Sequence, residues 1–190
     1  MASLKDTKRR ITGVKSTQKI TRAMKLVSSA KYARANQALV NARPFAEKLE
    51  SVYSHFTHNY SPDERHPLLV SRKESTSLLI VVATDRGFCG ALNTNLVRFA
   101  KSVMSEKVAK GVKVQLVLWG KKARPLGVHG VCEDAERVLE KIDNDWVAKK
   151  CEEFMGRYLA CGVDNVTVVY PKFKNALVQS PNAAQLLPVE

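Results

Sequence analysis

Apolar side chains recur at helical spacing through the first fifty-odd residues. They fall at Leu4, Ile11, Val14, Ile20, Met24 and Val27, then at Ala35, Ala38, Leu39, Ala42, Ala46, Leu49, Val52, Tyr53 and Phe56. Most of the steps are three, four or seven, the spacing of one stripe along a helix. Between them stand strong helix formers, and only Gly13 and Pro44 interrupt as breakers. Ser3 is placed to cap the first turn, and Asp6 brings the charge that the N-terminal dipole favours. At about 1.5 Å rise per residue the helix would reach roughly 80 Å. A compact domain of this chain length has a radius of gyration of only about 16 Å. The pattern therefore predicts a helix over 1–57 that projects from the remainder and whose stripe requires a partner.

The periodicity dissolves over 58–76, where Asn59, Ser61, Pro62, Asp63, Pro67 and Ser71 mark a linker. Ser77 to Thr84 is then a continuous apolar run of strand length, as expected of a strand buried on both faces. The loop Asp85-Arg86-Gly87-Phe88-Cys89-Gly90-Ala91 follows. Asn93 or Thr94 is placed to cap a helix carrying Leu96, Phe99, Val103 and Val108, stopped by Gly111. A second strand runs from Val112 to Trp119 and ends at Gly120. This succession is a βαβ unit with parallel strands.

After Pro125 a loop is expected around Gly127 and Gly130, with helical character from about Asp134 and a break near Asp143-Asn144. The second helical part should bury Trp146, Val147, Phe154, Met155, Tyr158 and Leu159, and Gly162 should end it. Asn165 to Tyr170 makes a third strand, which Pro171 ends or places at an edge. The fold expected is α/β: a long N-terminal coiled-coil helix, then a small Rossmann-like domain over 77–178 with a mainly parallel sheet. Residues 179–190 read as a loop-like tail through Pro181 and Pro188.

Composition narrows the functional classes. The 190 residues are 45% hydrophobic, which is too many for a disordered chain, and no run approaches a membrane span. No signal peptide is visible, which suggests a cytosol-like compartment. Cys89, Cys132, Cys151 and Cys161 are scattered and suggest reduced thiols rather than a disulfide framework or a zinc site. His55, His58 and His66 lack neighbours that complete a ligand set, so no metal is expected. The net charge of +13 is uneven: residues 1–50 hold twelve basic side chains against Asp6, Glu47 and Glu50. A basic helix implies an acidic neighbour, which is nucleic acid, anionic lipid or an acidic protein surface.

The loop Asp85 to Gly90 lies between strand and helix, where α/β sheets bind ligands, and Arg86 or the helix N-terminus could hold a phosphate. It is neither G-x-G-x-x-G nor a P-loop, and a tight turn using two glycines explains it equally. Cys89 has no histidine near in sequence to act as base, and Glu152-Glu153 and Glu133-Asp134 read as solvated helix faces. The search for catalytic chemistry returns nothing firm. The basic helix would suit phosphate contacts, yet Tyr32 is the only aromatic before Phe45 and no nucleic-acid module is present. The apolar stripe, largely Ala, lacks Trp or Phe anchors for a membrane surface.

Three separated stretches carry a resemblance. The run from Ile11 to Val27 (ITGVKSTQKITRAMKLV) resembles the first helix of the gamma subunit of rotary proton-translocating ATP synthases. The stretch Asp85 to Asn95 (DRGFCGALNTN) is similar to that family's second hallmark, although Ala91 stands where glycine is common. Phe173 to Leu177 and Gln185 to Pro188 resemble a third. The three are spread in order along nearly the whole chain, from Ile11 to Pro188.

The resemblance implies a central-stalk rotor that carries torque between a proton-driven c ring and a ring of alpha and beta subunits. It implies an α/β domain set against an epsilon subunit, no catalysis and no cofactor in this chain, and membrane attachment only through the complex. The missing transit peptide suggests the cytoplasmic face of a bacterial inner membrane. By position, Lys19, Thr21, Arg22, Met24 and Lys25 resemble the contact with beta-subunit loops. Asp85, Arg86, Gly87, Cys89 and Gly90 resemble a structural loop of the lower shaft. The family continues through a long C-terminal helix, so its absence after Glu190 would leave the stripe of residues 11–56 exposed. The alternative, from a different class, is a basic helix binding nucleic acid, with the α/β domain as an accessory.

Overall fold

The computed structural model describes residues 3–59, 66–129, 132–133 and 142–189. The chain divides into two compact units, Met1–Asn59 and Tyr60–Glu190.

The first unit is a single helix, α1, from Leu4 to Asn59. Ser3 caps it: its Oγ accepts from the Lys5 N–H at 3.3 Å, and its carbonyl accepts from the Thr7 N–H at 3.1 Å. Pro44 lies inside the helix and brings no N–H, so the carbonyl four residues back loses its intrahelical donor. Val40, which carries that carbonyl, is half exposed, so water can satisfy the group. Among the described residues the stripe is open to solvent: Val14 is 68%, Ile20 61%, Met24 65% and Val27 58% exposed.

The second unit is a five-stranded sheet with helices on both faces. Its elements are β1 (Thr76–Val82), α2 (Leu92–Ala109), β2 (Lys113–Trp119), β3 (Cys132–Glu133), α3 (Asn144–Leu159), β4 (Asn165–Phe173) and β5 (Gln179–Leu187). The strand order is β3-β2-β1-β4-β5, parallel throughout except that β5 runs antiparallel to β4. Alternate residues of β1 serve opposite cores. Leu79 and Val81 join Leu116, Leu118 and Val169 under Leu96, Ala100 and Met104 of α2. Leu78 and Ile80 join Val117, Val166 and Leu187 under Phe154 and Tyr158 of α3. Burial on both faces is why β1 reads as an unbroken apolar run.

Several expectations are corrected. Residues 179–187 are not a loop-like tail but the edge strand β5. Pro171 does not end β4, which runs on to Phe173, but it does stand where one side of the strand is an open edge. β1 pairs with β4 only over Asn165–Val169, and beyond it Pro171 stands opposite Pro181. Antiparallel pairs alternate between exchanging N–H bonds and pointing them away, and two facing prolines fit the second kind at no cost. Lys121–His129 forms a 3-10 helix through Gly127 where a loop was expected. Neither Asn93 nor Thr94 caps α2, whose N-cap is Ala91 without a side-chain bond. Val147 and Leu159, expected inside, are 40% and 49% exposed. The helix expected from Asp134 lies outside the described residues as far as 141.

Both long helices of this unit end in the same hydrogen-bonded motif. Gly111 has φ 78°, and the N–H groups of Gly111 and Val112 donate to Val108 and Lys107. After α3 the left-handed residue is Cys161, φ 57°, not Gly162, whose N–H instead donates to Arg157 O at 2.9 Å.

Gly120, at φ 93°, lets the turn after β2 press onto the end of β1. A Cβ there would lie 2.1 Å from Ala83 O and 2.7 Å from its carbonyl carbon. Gly120→Ala should therefore cost about 3 kcal/mol or more in denaturant unfolding of the domain. Gly13→Ala, on an open helix face with no atom within 4 Å, should instead stabilise α1 by up to about 1 kcal/mol.

The Asp164 carboxylate accepts from the Ser75 Oγ and from the N–H groups of Ser75 and Thr76, at 2.6, 2.9 and 3.0 Å. These bonds, the Ser75 hydroxyl first, hold its pKa below the ordinary 3.8, with Arg72 adding a smaller pull. The stability so conferred is fully present above that ordinary value and is lost as pH falls through the lowered one. Asp164→Asn should lower stability at neutral pH by about 1–3 kcal/mol. It should also flatten the acid limb of a stability–pH titration relative to the parent.

Candidate functional site

Two regions carry the candidate residues. Lys19, Thr21, Arg22, Met24 and Lys25 lie within about two turns of α1 and are all exposed. Successive residues turn by about 100°, which sorts the five onto different flanks. Lys19, Arg22 and Lys25, at steps of three, span an arc of about 120°. Met24 points about 160° away from Arg22, toward Ile20 and Val27 on the apolar stripe. The helix thus brings the three cations together and sets Met24 apart from them.

Thr21 lies between these flanks. Its hydroxyl donates to Thr17 O at 2.9 Å, just as Thr17 donates to Gly13 O at 3.0 Å. With its proton engaged, Thr21 offers a partner lone pairs and a methyl group. Gly13 leaves a shallow notch on this flank, bordered by Arg10, Thr17, Thr21, Arg22 and Lys25. A lone helix supplies one wall only, so the notch is a surface for another chain rather than a cavity. Among the described residues no carboxylate forms an ion pair with Lys19, Arg22 or Lys25. The arc is open to acidic groups from outside the chain.

The second region is the loop between β1 and α2. Asp85 Oδ1 accepts from the Lys121 N–H at 3.1 Å, while Oδ2 is buried without a partner. Thr84 O accepts from the Lys122 N–H at 3.0 Å, so the loop is stitched to the turn that Gly120 opens. Lys122 runs beside Gly87: a Cβ there would come 3.7 Å from its Nζ. Sequence reasoning missed the organiser of this loop, Asn93. Its amide accepts from the Thr84 N–H at 3.2 Å and donates to Thr84 Oγ1 at 2.8 Å and to Cys89 Sγ at 2.9 Å. Thr84 Oγ1 in turn donates to Arg86 O at 2.6 Å. The available signal was an amide in the first helical turn, and it was assigned to the wrong task.

These bonds hold Phe88 at φ 59° with its ring fully exposed, and Gly90 at φ 59°. A bulky side chain in the left-handed region costs of order 1–3 kcal/mol, so the anchors around it must be firm. Gly87 and Gly90 serve the turn, Cys89 is half-buried and bonded to Asn93, and Arg86 is exposed. Among the described residues no group of three or more His, Cys, Asp or Glu side chains gathers at a metal-binding spacing. No described helix is long and apolar enough to cross a membrane. What the two regions present is contact surface: a cationic arc on a helix and a rigid loop displaying an aromatic ring.

A family model described as "ATP synthase" matches residues 3–190. Over its whole length the chain is 39% identical to the ATP synthase gamma chain of Rhizorhabdus wittichii and 40% identical to that of Erythrobacter litoralis. It spans about two thirds of their length, 67% in each case. The same fold occurs in the central stalk and c ring of the Tetrahymena thermophila mitochondrial ATP synthase. There the TM-score is 0.60 and the identity 23%, over 89% of this chain and 72% of that one. A rotor chain of the Euglena gracilis mitochondrial enzyme aligns with a TM-score of 0.55 and 21% identity, over 95% of this chain and 61% of that one. Nothing in these relatives supports a nucleic-acid-binding helix. With a long basic helix, an α/β domain and gamma-chain sequence from end to end, the chain belongs to the ATP synthase gamma-chain family.

Proposed function

We propose that the chain transmits torque as the rotor of an ATP synthase, between a proton-driven c ring and a ring of alpha and beta subunits. It catalyses nothing itself and binds no nucleotide. The observation that carries this reading is the pair of flanks on α1, one apolar and one cationic, both exposed on a chain of gamma-family sequence. The apolar flank suits permanent burial against another helix of the shaft. The cationic arc of Lys19, Arg22 and Lys25 suits carboxylates on beta-subunit loops, to which arginine offers charge-assisted, forked hydrogen bonds. Met24 belongs with the seam and Thr21 with the border between the flanks.

The loop Asp85 to Gly90 serves as a rigid spacer in the lower shaft, and its stitching to the turn of Gly120 to Lys122 supports that role. The epsilon subunit and the c ring are the further partners proposed for the domain. Membrane attachment is through the complex. The bacterial origin of the named gamma-chain relatives supports the cytoplasmic face of a bacterial inner membrane.

Co-expression of the full-length gamma chain with alpha and beta subunits should yield a complex holding a single copy of it per catalytic ring, by mass determination. Recovery of the ring without it would refute the assignment. Within that complex, Arg22→Ala should leave the fold and the yield intact. In the reconstituted whole enzyme it should lower ATP synthesis and ATP-driven proton pumping severalfold more than ATP hydrolysis. Equal synthesis and pumping in variant and parent would remove Arg22 from the contact.

A further inference from the structure

The covalent link between the two units of this chain enters the α/β domain through residues 66–76. This segment has only one short 3-10 turn, Pro67–Leu69, before β1 begins at Thr76. It is nevertheless fixed at almost every second residue. Leu68 O accepts from the Val189 N–H at 3.0 Å, and Val70 O accepts from the Tyr158 hydroxyl at 2.7 Å. Arg72 reaches the end of α3: one terminal nitrogen donates to Tyr158 O at 2.6 Å and to Val163 O at 3.2 Å, the other to Cys161 Sγ at 2.8 Å. Its guanidinium lies 4.2 Å from the centre of the Tyr158 ring. Glu74 pairs with Lys107 of α2, and Ser75 and Thr76 donate to Asp164.

Apolar packing is the smaller part of this: Leu68 packs on the core beneath α3, but Leu69 is only half-buried and Val70 is exposed. The anchors are backbone and side-chain groups from α2, α3, the turn before β4 and the residues after β5, so a pull on the segment is spread over elements on both faces of the sheet. A connector that needed only to reach β1 would not require a half-buried cation, bonded on several sides, at its midpoint. Placing a guanidinium on the Tyr158 carbonyl, in the last turn of α3, also uses the negative end of that helix, which favours a cation.

We propose that residues 66–76 form a strap that takes up mechanical load where the α/β domain joins the shaft, and that Arg72 is its positioning residue. The proposal rests on the rotor reading. The guanidinium makes no contact with a catalytic site. It acts by keeping the domain from yielding when the shaft is driven.

The test uses the whole ATP synthase reconstituted in vesicles, with Arg72→Ala, Arg72→Lys or Tyr158→Phe in the full-length gamma chain. Amide exchange within 66–76 should rise roughly tenfold in Arg72→Ala, the size of a lost charge-assisted bond, while Leu79 to Val81 keep their protection. ATP hydrolysis should stay near the parent rate as protons pumped per ATP fall severalfold, most steeply against an opposing proton gradient. Arg72→Lys keeps the charge without the fork and should recover part of the ratio. Tyr158→Phe removes a single strap bond and preserves packing, so it should shift exchange and ratio in the same direction by less.

A stabilising role alone would lower yield, hydrolysis and pumping together and leave the ratio unchanged. An unchanged ratio with a loosened strap overturns the proposal, as does unchanged exchange within the strap. If Arg72→Ala does not assemble, an unchanged ratio in Tyr158→Phe with raised strap exchange is sufficient to refute it. A parent gamma chain that fails to assemble with alpha and beta subunits would refute the rotor reading itself, and this inference with it.

Discussion

Side chains on a single α-helix radiate outward, and a stripe of them leaves water only when a second wall arrives. α1 has no such wall within its own unit, so Ile20, Met24 and Val27 stay more than half exposed. Each would gain about 1.5–3 kcal/mol on full burial. The helix therefore carries an association energy that its own folding does not use. The stripe also winds: seven residues fall about 20° short of two full turns, so the apolar line drifts slowly around the axis. A partner that covers it over several heptads must wind with it, and another helix does so more naturally than a flat surface.

The α/β domain answers the opposite problem, that of closing a core without help. β1 is buried by α2 on one face and α3 on the other, and the strands beside it repeat that alternation. The candidate loop then depends on a close approach of two turns, since only glycine at position 120 lets them meet. Asp85 and Thr84 bond across that meeting point, and Asn93 ties the same place to α2. The exposed ring of Phe88 is thus positioned by residues from three separate stretches of chain.

Much of this was legible from the order of residues. β1 and β2 announced themselves as apolar runs, Gly111 marked the end of α2, and the period of the first segment gave α1. The failures share a physical cause, which is that the deciding contact is with a residue four to ten positions away, brought in by the turn between them. Pro171 and Pro181 each read as strand breakers, and only the pairing of β4 with β5 makes them harmless. Gly162 drew attention as the helix stop, yet its N–H is needed for the bond to Arg157 O, which leaves Cys161 to turn left-handed. Asn93 looked like a cap, but Thr84 and Cys89, neighbours through the loop, claim its amide. For the site on α1, the residues came from resemblance. Their division into a cationic arc and a seam-side Met24 follows from the helical period.

On the proposed rotor reading, that division bears on how a shaft could be both held and free to turn. Apolar burial on the stripe is short-ranged, cumulative and hard to undo, which suits a contact that persists through every angle. Ion pairs at an exposed surface are worth only about 0–1 kcal/mol and are screened beyond roughly 8 Å at physiological salt. Contacts of that strength can be exchanged for equivalent ones without a deep trap at any single orientation. A deep apolar socket on the cationic flank would stop the rotor, and a merely ionic seam would let the shaft separate. Placing Ile20, Met24 and Val27 on one flank, with Lys19, Arg22 and Lys25 on another, meets both requirements within two turns or so of one helix.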